Sequence, residues 1–526
     1  MKKCYITTPI YYPSGEAHIG HCYCTTMCDV FARYKRSRGV ETYFLTGTDE
    51  HGLKIAKNAA LANKTPQEYV DEIANKFKHL WEVLEISNND FIRTTEPRHY
   101  KVVQEVFSKF LKQDDIYLGS YSGWYCTPCE SFWTDTQVGE EHLCPDCGRS
   151  VQKEQEESYF FKTNKYLSTV NELFTLPKFV YPESRKTEMI NNFIKPGLED
   201  LCVSRTTFTW GIQIKENPKH VIYVWLDALL NYITALGYGS EDDSLFQKFW
   251  NNDDVEIIHV VGADISRFHT IYWPMFLKAL NLREPDRIFV HGLLMMKDGK
   301  MSKSKGNVVS PYPLIEKYGV DALRYYLVRE VTFGQNGQFT PVQFVERINN
   351  DLVNSYGNLV NRSISMINKY FDGVIPAFKG KVTLFDEALD NVIINSINNY
   401  ESYMDDLHMT EGTDAMMDIV RAGNKYIDDT LPWSLAKDSS KKEELESVMA
   451  HLARIILVTT LGLKPILVDT YKKVFGFLNI SEDLNYEEIK NVHLLDNIKV
   501  NAPSILFPRL DVNIEVEAIT EMMGTK

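Results

Sequence analysis

Apolar and polar positions alternate with a changing period along the N-terminal part of the chain. Residues 2–12 are rich in β-branched and aromatic side chains and predict a β-strand that ends in a Pro-Ser-Gly turn. Residues 22–36 lack glycine and proline and carry apolar residues at helical spacing, which predicts an α-helix. Residues 41–45 predict a second strand, followed by a long helical tract to about residue 84. Alternating strands and helices favour a parallel sheet that binds ligands at the carboxyl ends of its strands.

The pattern changes twice further along the chain. Short aromatic-rich strands between about Asp114 and Arg205 predict an inserted domain. The alternation then resumes, with predicted strands at 256–261 and 287–291 and helices before each of them. Beyond about Pro341 amphipathic tracts dominate and predict an α-helical bundle. We therefore expect an α/β fold, a doubly wound parallel sheet (Rossmann-like) split by an insertion, followed by an all-α domain.

Composition and charge narrow the class of protein. The 526 residues predict several domains, and 44% hydrophobic with 24% charged residues is typical of globular proteins. The net charge of −14 excludes attraction of nucleic acid through the overall field, so a polyanion would need a local patch. The most apolar stretch, residues 455–468, is interrupted by Gly, Lys and Pro, and prolines interrupt the N-terminus. We expect no membrane span, no secretion signal and a cytoplasmic location.

Four of the nine cysteines form two C-x-x-C turns, Cys126 with Cys129 and Cys144 with Cys147, separated by fourteen residues. This spacing predicts a closed tetrahedral Cys₄ zinc site, with one structural Zn²⁺ per chain. The alternative is two disulfides or thiols without a metal, which a chain lacking a secretion signal disfavours. His142 lies between the pairs and is expected at the surface. The other five cysteines show no ligand spacing and are expected to pack as thiols.

Two short motifs suggest phosphate chemistry. His18, Gly20 and His21 belong to a His-Ile-Gly-His tetrad at a predicted helix start, where imidazoles can bind phosphate oxygens and the glycine leaves room for a base. The alternative is two surface histidines. Residues 300–304 read Lys-Met-Ser-Lys-Ser, whose ammonium groups could stabilise a leaving pyrophosphate. The alternative for that segment is a solvated basic loop.

The two motifs occur together, about 280 residues apart, and this pairing resembles the class I aminoacyl-tRNA synthetases. The segments Thr-Gly-Thr-Asp-Glu-His-Gly at 46–52, Val-Trp-Leu-Asp-Ala-Leu-Leu-Asn-Tyr at 224–232 and Phe-His-Thr-Ile-Tyr-Trp-Pro at 268–274 resemble the methionyl branch of that class. The resemblance covers nearly the whole chain. It implies ATP-dependent activation of L-methionine to methionyl-adenylate and transfer to the terminal ribose of tRNA(Met).

The resemblance also implies site residues. Catalytic roles fall to His18, His21, Lys300 and Lys303, and ATP with its Mg²⁺ is bound by these four together with Gly20 and Ser302. The implied methionine site comprises Ile10, Tyr12, Asp49, Trp225, Ala228, Leu229, Tyr232, Phe268 and His269, with Asp49 holding the substrate ammonium. Core packing is the alternative for Trp225 and Tyr232. Glu16 departs from the family pattern, and a carboxylate so near the phosphate site could weaken ATP binding.

For the helical domain the resemblance implies that Asn358, Arg362 and Trp433, with Asn424 less surely, read the anticodon. The alternative is a capped helix with a buried tryptophan. The expected domains are the two halves of the catalytic domain (1–115 and 223–325), a connective insertion (116–222), a stem-contact junction (326–350) and an anticodon-binding domain with a C-terminal tail (351–526). Relatives commonly continue into a further, dimer-forming domain, whereas this sequence stops shortly after residues 506–511. We therefore expect a monomer.

Three other functions stay open at this point: a class I synthetase for another amino acid such as cysteine, a nucleotidylyltransferase that never touches tRNA, and a non-catalytic RNA-binding module. A cysteine enzyme would need a zinc ion in its catalytic site rather than a closed Cys₄ site. The helical domain argues against the transferase, and the two intact motifs argue against the binding module.

Overall fold

A computed structural model describes residues 2–127, 131–133, 135–145, 147–296, 299–300 and 308–523. The chain forms two compact units. The first unit comprises residues 1–17, 41–81 and 87–291, and the second comprises residues 18–40, 82–86 and 292–526.

The secondary structure is numbered here in chain order. The strands are β1 (Lys3–Thr7), β2 (Glu41–Thr48), β3 (Asp90–Arg93), β4 (Ile116–Cys126), β5 (Ser131–Trp133), β6 (Gln152–Phe161), β7 (Val180–Tyr181), β8 (Leu201–Cys202), β9 (Ser204–Arg205), β10 (Val221–Ile222), β11 (Val255–Gly262), β12 (Arg287–His291), β13 (Leu294–Met296), β14 (Gly299–Lys300) and β15 (Gly337–Gln338). The helices are α1 (Ile19–Ser37), α2 (Leu53–Leu61), α3 (Pro66–Val83), α4 (Pro97–Lys112), α5 (Asp135–Val138), α6 (Leu167–Thr175), α7 (Glu183–Met189), α8 (Val224–Leu229), α9 (Asn231–Thr234), α10 (Ser244–Phe249), α11 (Trp273–Ala279), α12 (Pro311–Tyr318), α13 (Val320–Glu330), α14 (Pro341–Arg347), α15 (Asn358–Phe371), α16 (Asp386–Asp405), α17 (Met409–Thr430), α18 (Pro432–Leu435), α19 (Lys442–Leu463), α20 (Thr470–Leu478) and α21 (Val512–Met522). Short 3₁₀ or π-helical turns cover Thr163–Tyr166, Ile190–Ile194, Ala263–Ile265, Phe268–Tyr272, Ser439–Lys441, Ile348–Gly357 and Tyr486–Lys490.

A six-stranded sheet forms the centre of the first unit, in the order β3-β2-β1-β11-β12-β7. Every neighbouring pair in it is parallel, which confirms the predicted sheet. All five residues of β12 and four of the five in β1 are buried, as expected for strands covered on both faces. The long helical tract predicted after β2 is two helices, α2 and α3.

The predicted insertion contains a second, antiparallel sheet in the order β5-β4-β6-β8. Its two main strands, β4 and β6, are 11 and 10 residues long, so they are not the short strands that the sequence predicts. Strand β7, also from this part of the chain, instead pairs with β12 at the edge of the parallel sheet. The insertion is therefore joined to the parallel sheet by its own backbone hydrogen bonds.

The second unit is mainly helical, as predicted. One of its segments, Ser439–Leu463, is 25 residues long, and an 18-residue window within it is apolar enough to cross a membrane by length and composition alone. Sequence analysis did not single out this segment, because it took residues 455–468 as the most apolar stretch. However, 94% of the apolar window is buried inside the molecule, which is what a core helix of a bundle requires.

A buried ion pair joins distant parts of the second unit. Arg324 of α13 is fully buried and donates to Asp29 Oδ2 of α1 at 2.7 Å. Its other donors reach the carbonyl oxygens of Leu84 at 3.0 Å, Pro465 at 2.8 Å and Ile466 at 3.0 Å. Because a buried guanidinium is tolerated only when its donors are satisfied, this network fixes α1 against the helical part of the chain.

Candidate active site

The His-Ile-Gly-His tetrad begins helix α1. His18 is the N-cap, and its Nδ1 accepts a hydrogen bond from Gly20 N at 3.1 Å. His21 Nδ1 accepts one from His18 N at 3.1 Å, which completes a capping box. In a neutral imidazole whose Nδ1 accepts, Nε2 carries the proton. The backbone of the first turn thus fixes both rings with Nε2–H groups suited to donating to phosphate oxygens.

The glycine of the tetrad is required by this arrangement. A Cβ at Gly20 would lie 2.9 Å from His18 Cε1, closer than real Cβ contacts. The neighbouring Glu16 carboxylate pairs with Lys76 at 2.8 Å, so part of its charge is balanced within the first unit.

The second motif lies mostly outside the described residues. The backbone of Lys300 pairs with Met295 in the small sheet β14-β13-β15, while Ser302 and Lys303 belong to the undescribed residues 301–307. Where the chain resumes, Val309 O accepts a hydrogen bond from Ile19 N at 3.1 Å. The chain that follows Lys303 by six residues therefore contacts the first turn of the helix that carries His18 and His21.

Aromatic residues of the predicted methionine site lie together in the first unit. The rings of Trp225 and Phe268 stack at 3.6 Å with planes 6° apart. Trp225 and Ile10 both pack against the buried cluster that contains Ala228. Leu229, one residue further along α8, is 1% exposed and belongs to the main core.

Tyr232 and His269 form a polar pair in the same region. The Tyr232 hydroxyl lies 2.7 Å from His269 Nε2, and His269 Nδ1 lies 3.0 Å from the Ile265 carbonyl oxygen. Because that carbonyl can only accept, Nδ1 carries the proton of the neutral ring and the Tyr232 hydroxyl donates to Nε2. Burial lowers the pKa of His269 to about 4.

A third ring, that of His259, packs against Tyr232. His259 stacks on Tyr232 with ring centroids 4.1 Å apart. Its Nε2 accepts from Trp273 Nε1 at 3.2 Å and its Nδ1 lies 2.9 Å from Thr7 Oγ1, so both ring nitrogens are used by the core. Burial, and then the neighbouring His269, lowers the pKa of His259 well below its usual value. Sequence analysis did not single out His259.

Asp49 and Glu50 are adjacent carboxylates with different surroundings. Glu50 is fully buried and accepts from Arg93 Nε and Thr48 Oγ1, both at 2.7 Å. Asp49 is 7% exposed, and its backbone N donates to the Tyr11 carbonyl at 2.9 Å. The arginine balances Glu50, and Asp49 is the carboxylate of this pair that keeps some exposure. Tyr12 is half-buried, with the Lys54 ammonium over its ring at 5.5 Å.

A buried network beside these residues was missed by the sequence analysis. Asp227 Oδ2 lies 2.6 Å from His51 Nδ1, and its Oδ1 lies 2.7 Å from His99 Nε2. Burial alone would raise the pKa of Asp227, but the two histidines lower it below the ordinary value. The signal was present, because Asp227 is a carboxylate in an otherwise apolar helix and must have buried partners.

Three of the four predicted metal ligands lie together. The sulfurs of Cys126, Cys144 and Cys147 are all within 4.8 Å of one another, and Cys126 and Cys147 are 3.5 Å apart. Cys129 lies outside the described residues. Ligands at about 2.3 Å from a tetrahedral zinc are about 3.8 Å apart, whereas a disulfide requires about 2.05 Å. The thiol geometry therefore fits a metal and excludes disulfides among these three.

The predicted anticodon residues lie in the second unit. Asn358 is exposed at the start of α15, and Arg362, one turn later, pairs with Asp428 at 3.2 Å. Trp433 is 40% exposed in α18, so it is not the buried core tryptophan of the alternative interpretation. Asn424 Nδ2 is engaged by the carbonyls of Ser355 and Val420 at 3.1 and 3.2 Å.

Comparisons with known proteins agree with this geometry. A family model described as tRNA synthetases class I (M) matches residues 4–156 and 147–364, and a model of the anticodon binding domain of methionyl tRNA ligase matches residues 375–523. The methionine–tRNA ligase of Oceanobacillus iheyensis is 52% identical over 536 residues, covering 99% of this chain and 79% of the relative. That of Bacillus subtilis is 52% identical over 532 residues, covering 99% and 80%.

Solved structures give the same answer. Mycobacterium tuberculosis methionyl-tRNA synthetase in complex with methionyl-adenylate matches with a TM-score of 0.91 and 36% identity, covering 97% of this chain and all of that one. Its apo form matches with a TM-score of 0.84 and 33% identity, covering 97% and 99%.

The fold and its two signature segments define a class I aminoacyl-tRNA synthetase. Within that class the chain belongs to the methionine–tRNA ligase family, and its activity is the joining of methionine to tRNA. This result excludes the cysteine enzyme, the nucleotidylyltransferase and the non-catalytic module.

The buried histidine pair predicts how the first unit responds to acid. The folded pKa of His269 is about 4, against 6.5 in the unfolded chain. Since the unfolded state binds more protons between these values, the histidine stabilises the fold above pH 6.5 and this stabilisation is lost as the pH falls towards 4. At about pH 4.5 the loss is about 2 to 3 kcal/mol.

Urea unfolding of the wild type and His269→Gln at about pH 7 and pH 4.5 measures this loss. The variant lacks the titrating group. The drop in its free energy of unfolding between the two pH values should therefore be about 2 to 3 kcal/mol smaller than the drop in the wild type. The same difference in both proteins would contradict the assignment of a neutral buried His269.

Proposed function

We propose that the signature residues carry the activation step. A carboxylate oxygen of methionine attacks the α-phosphate of Mg²⁺-ATP, a new O–P bond forms, and pyrophosphate leaves with the electrons of the broken P–O bond. His18 and His21 donate to the phosphates as charge develops, and Gly20 leaves room for adenine. Lys300, Ser302 and Lys303 bind the departing pyrophosphate. The contact of Ile19 with Val309 carries this proposal, because it ties the chain after the second motif to the helix of the first.

The methionine site follows from the chemistry of a thioether. Trp225 and Phe268 offer polarizable rings to the sulfur, and sulfur–aromatic contacts, which are often made at the ring edge, contribute about 0.3 to 1.5 kcal/mol each. Ile10, Tyr12, Ala228 and Leu229 complete the apolar wall. Asp49 holds the substrate ammonium, since Arg93 balances its neighbour Glu50. Tyr232 and neutral His269 close the end of the site, where a charged imidazole would repel the ammonium.

In the second step the terminal ribose 2′-hydroxyl oxygen of tRNA(Met) attacks the activated carbonyl carbon and forms an ester bond. The bond between that carbon and the phosphate oxygen breaks, its electron pair stays on the oxygen of the departing AMP, and the hydroxyl proton is released to solvent. Residues 1–115 and 223–325 would carry both steps, 116–222 would cover the acceptor end, 326–350 would contact the stem, and 351–526 would read the anticodon. We place the enzyme in the cytoplasm as a monomer.

Pyrophosphate exchange tests the activation step. The wild type should exchange pyrophosphate into ATP with methionine and with no other amino acid. Lys303→Ala should lower kcat of this exchange about 100-fold or more with little change in methionine affinity, because the lysine acts on charge that develops in the transition state.

Lys305→Ala is the matched control, since it removes the same charge from the same segment outside the motif. Its exchange should stay within a few-fold of the wild type. Unchanged exchange in Lys303→Ala would remove this lysine from the mechanism.

The cysteine cluster would hold one Zn²⁺ through Cys126, Cys129, Cys144 and Cys147. Bound there, the metal would join the two C-x-x-C turns by four thiolate bonds. It would take no part in the reaction, because a closed site has no open coordination position. The three sulfurs within 4.8 Å support the assignment.

Elemental analysis should find one zinc per chain in the purified wild type and a clear loss in Cys144→Ser. Cys202→Ser alters a buried thiol of the same unit that lies outside the cluster, so it should keep the zinc. A full zinc content in Cys144→Ser would contradict the ligand assignment.

Anticodon recognition would use Trp433 as a stacking surface, with Asn358 and Arg362 on base edges. The 40% exposure of the Trp433 side chain supports this role, because base stacking needs an open ring face. Trp433→Ala should leave pyrophosphate exchange intact and reduce kcat/KM for tRNA charging about 5- to 150-fold, the value of about 1 to 3 kcal/mol of base stacking.

Tyr403 is an equally suitable control, because it is also 40% exposed in the second unit and has no assigned role. Tyr403→Ala should leave both assays unchanged. Equal damage to exchange and charging in Trp433→Ala would show that the tryptophan is structural.

A further inference from the structure

The side chain of Arg267 lies between aromatic rings rather than beside a carboxylate. Its guanidinium carbon is 4.6 Å from the ring centre of Trp133 and 4.5 Å from that of Phe268, with Phe193 at 5.4 Å. Across the described part of the chain, no acidic group lies within salt-bridge distance of it, and its buried Nε has no hydrogen-bond partner. The contacts that hold this cation are therefore cation–π contacts.

These contacts form one end of a longer stack. Phe268 stacks on Trp225 at 3.6 Å, so four side chains follow one another in the order Trp133, Arg267, Phe268 and Trp225. The rings of Phe268 and Trp225 belong to the proposed methionine site. Trp133, at the other end of the stack, is 2% exposed and packs in the small core that contains Cys126 and Cys144.

The stack explains how Phe268 keeps its orientation. One face of its ring is parallel to Trp225 within 6°, and the guanidinium lies within cation–π distance of the same ring. Removing the Arg267 side chain would give the Phe268 ring room to turn away from its parallel contact with Trp225. Direct side-chain contacts thus connect the small core around Cys126 and Cys144 to the wall of the proposed methionine site.

We propose that Arg267 is a positioning residue for methionine binding. Its guanidinium holds Phe268 against Trp225 and is itself held by its contact with Trp133. The inference rests on the proposed methionine site. It predicts that breaking the stack at either Trp133 or Arg267 weakens methionine binding, and that breaking it at both places adds little.

The test measures methionine and ATP KM in pyrophosphate exchange, with methionine affinity by calorimetry. Arg267→Ala should raise the methionine KM about tenfold, in line with the loss of its cation–π contacts, with the ATP KM within about twofold of the wild type. Trp133→Leu should give a similar rise, and the double variant should not exceed the larger single effect by more than about twofold. Trp133→Phe keeps an aromatic face and should restore most of the affinity.

Two further variants separate the stack from other roles. Trp124 lies opposite Trp133 in the same hairpin but stacks on His142, so Trp124→Leu should leave the methionine KM unchanged. Arg267→Lys keeps the charge without the flat guanidinium and should retain an intermediate affinity. Thermal unfolding confirms that each variant is folded.

Three results would overturn the proposal: an unchanged methionine KM in Arg267→Ala, additive effects of the two single variants, or an equal rise in Trp124→Leu. An unchanged methionine KM in Arg267→Ala together with a raised tRNA KM in the charging assay would assign Arg267 to nucleic acid instead. Failure of the wild type to exchange with methionine would overturn the proposed function itself, so the two failures are distinguishable.

Discussion

The central position of β1 is the constraint on which the first unit depends. This strand pairs in parallel with β2 on one side and with β11 on the other, although β11 begins some 250 residues later in the chain. Parallel pairing points the carboxyl ends of the strands in one direction, so the segments that follow β1, β2 and β11 emerge at the same edge of the sheet. Ile10, Asp49 and Phe268 all lie on such segments. The strand order thus brings the three separated segments of the proposed methionine site to one edge of the sheet.

Burial then decides what the polar groups near that edge can do. Three histidines in the first unit illustrate this. The ring nitrogens of His259 and His269 form hydrogen bonds with tyrosine, tryptophan, threonine and backbone groups, and burial keeps both rings neutral. The third, His51, lies next to the Asp227 carboxylate. The same rule separates the adjacent carboxylates, since Glu50 is balanced by Arg93 inside the protein. These partners balance the buried charge of Glu50 and leave the two histidine rings uncharged.

Sequence periodicity predicted the parallel strands, the helix after the first motif and the helical second part, because these patterns depend on local burial. Three features could not be predicted in this way. His51 lies far from its partner Asp227 in the sequence, and Trp133 lies far from Arg267, so only the tertiary fold identifies these contacts. Ser439–Leu463 has the composition of a membrane helix because a helix surrounded by other helices is as apolar as one surrounded by lipid. The short expected strands of the insertion are long because β4 and β6 pair along their whole length.

The division into units changes how the first motif should be understood. By sequence, α1 is the first helix of an α/β fold, yet residues 18–40 cluster with the helical part of the chain. The reason is physical: Asp29 of α1 is fully buried and paired with Arg324, and removing one partner of a buried pair costs about 3 to 5 kcal/mol. Arg324 also binds the carbonyls of Pro465 and Ile466, directly after α19 in the core of the predicted anticodon domain. The helix that carries His18 and His21 is therefore held by charge to the same unit that carries Trp433. Any displacement of α19 must either move α1 with it or leave buried charge and carbonyl groups unsatisfied.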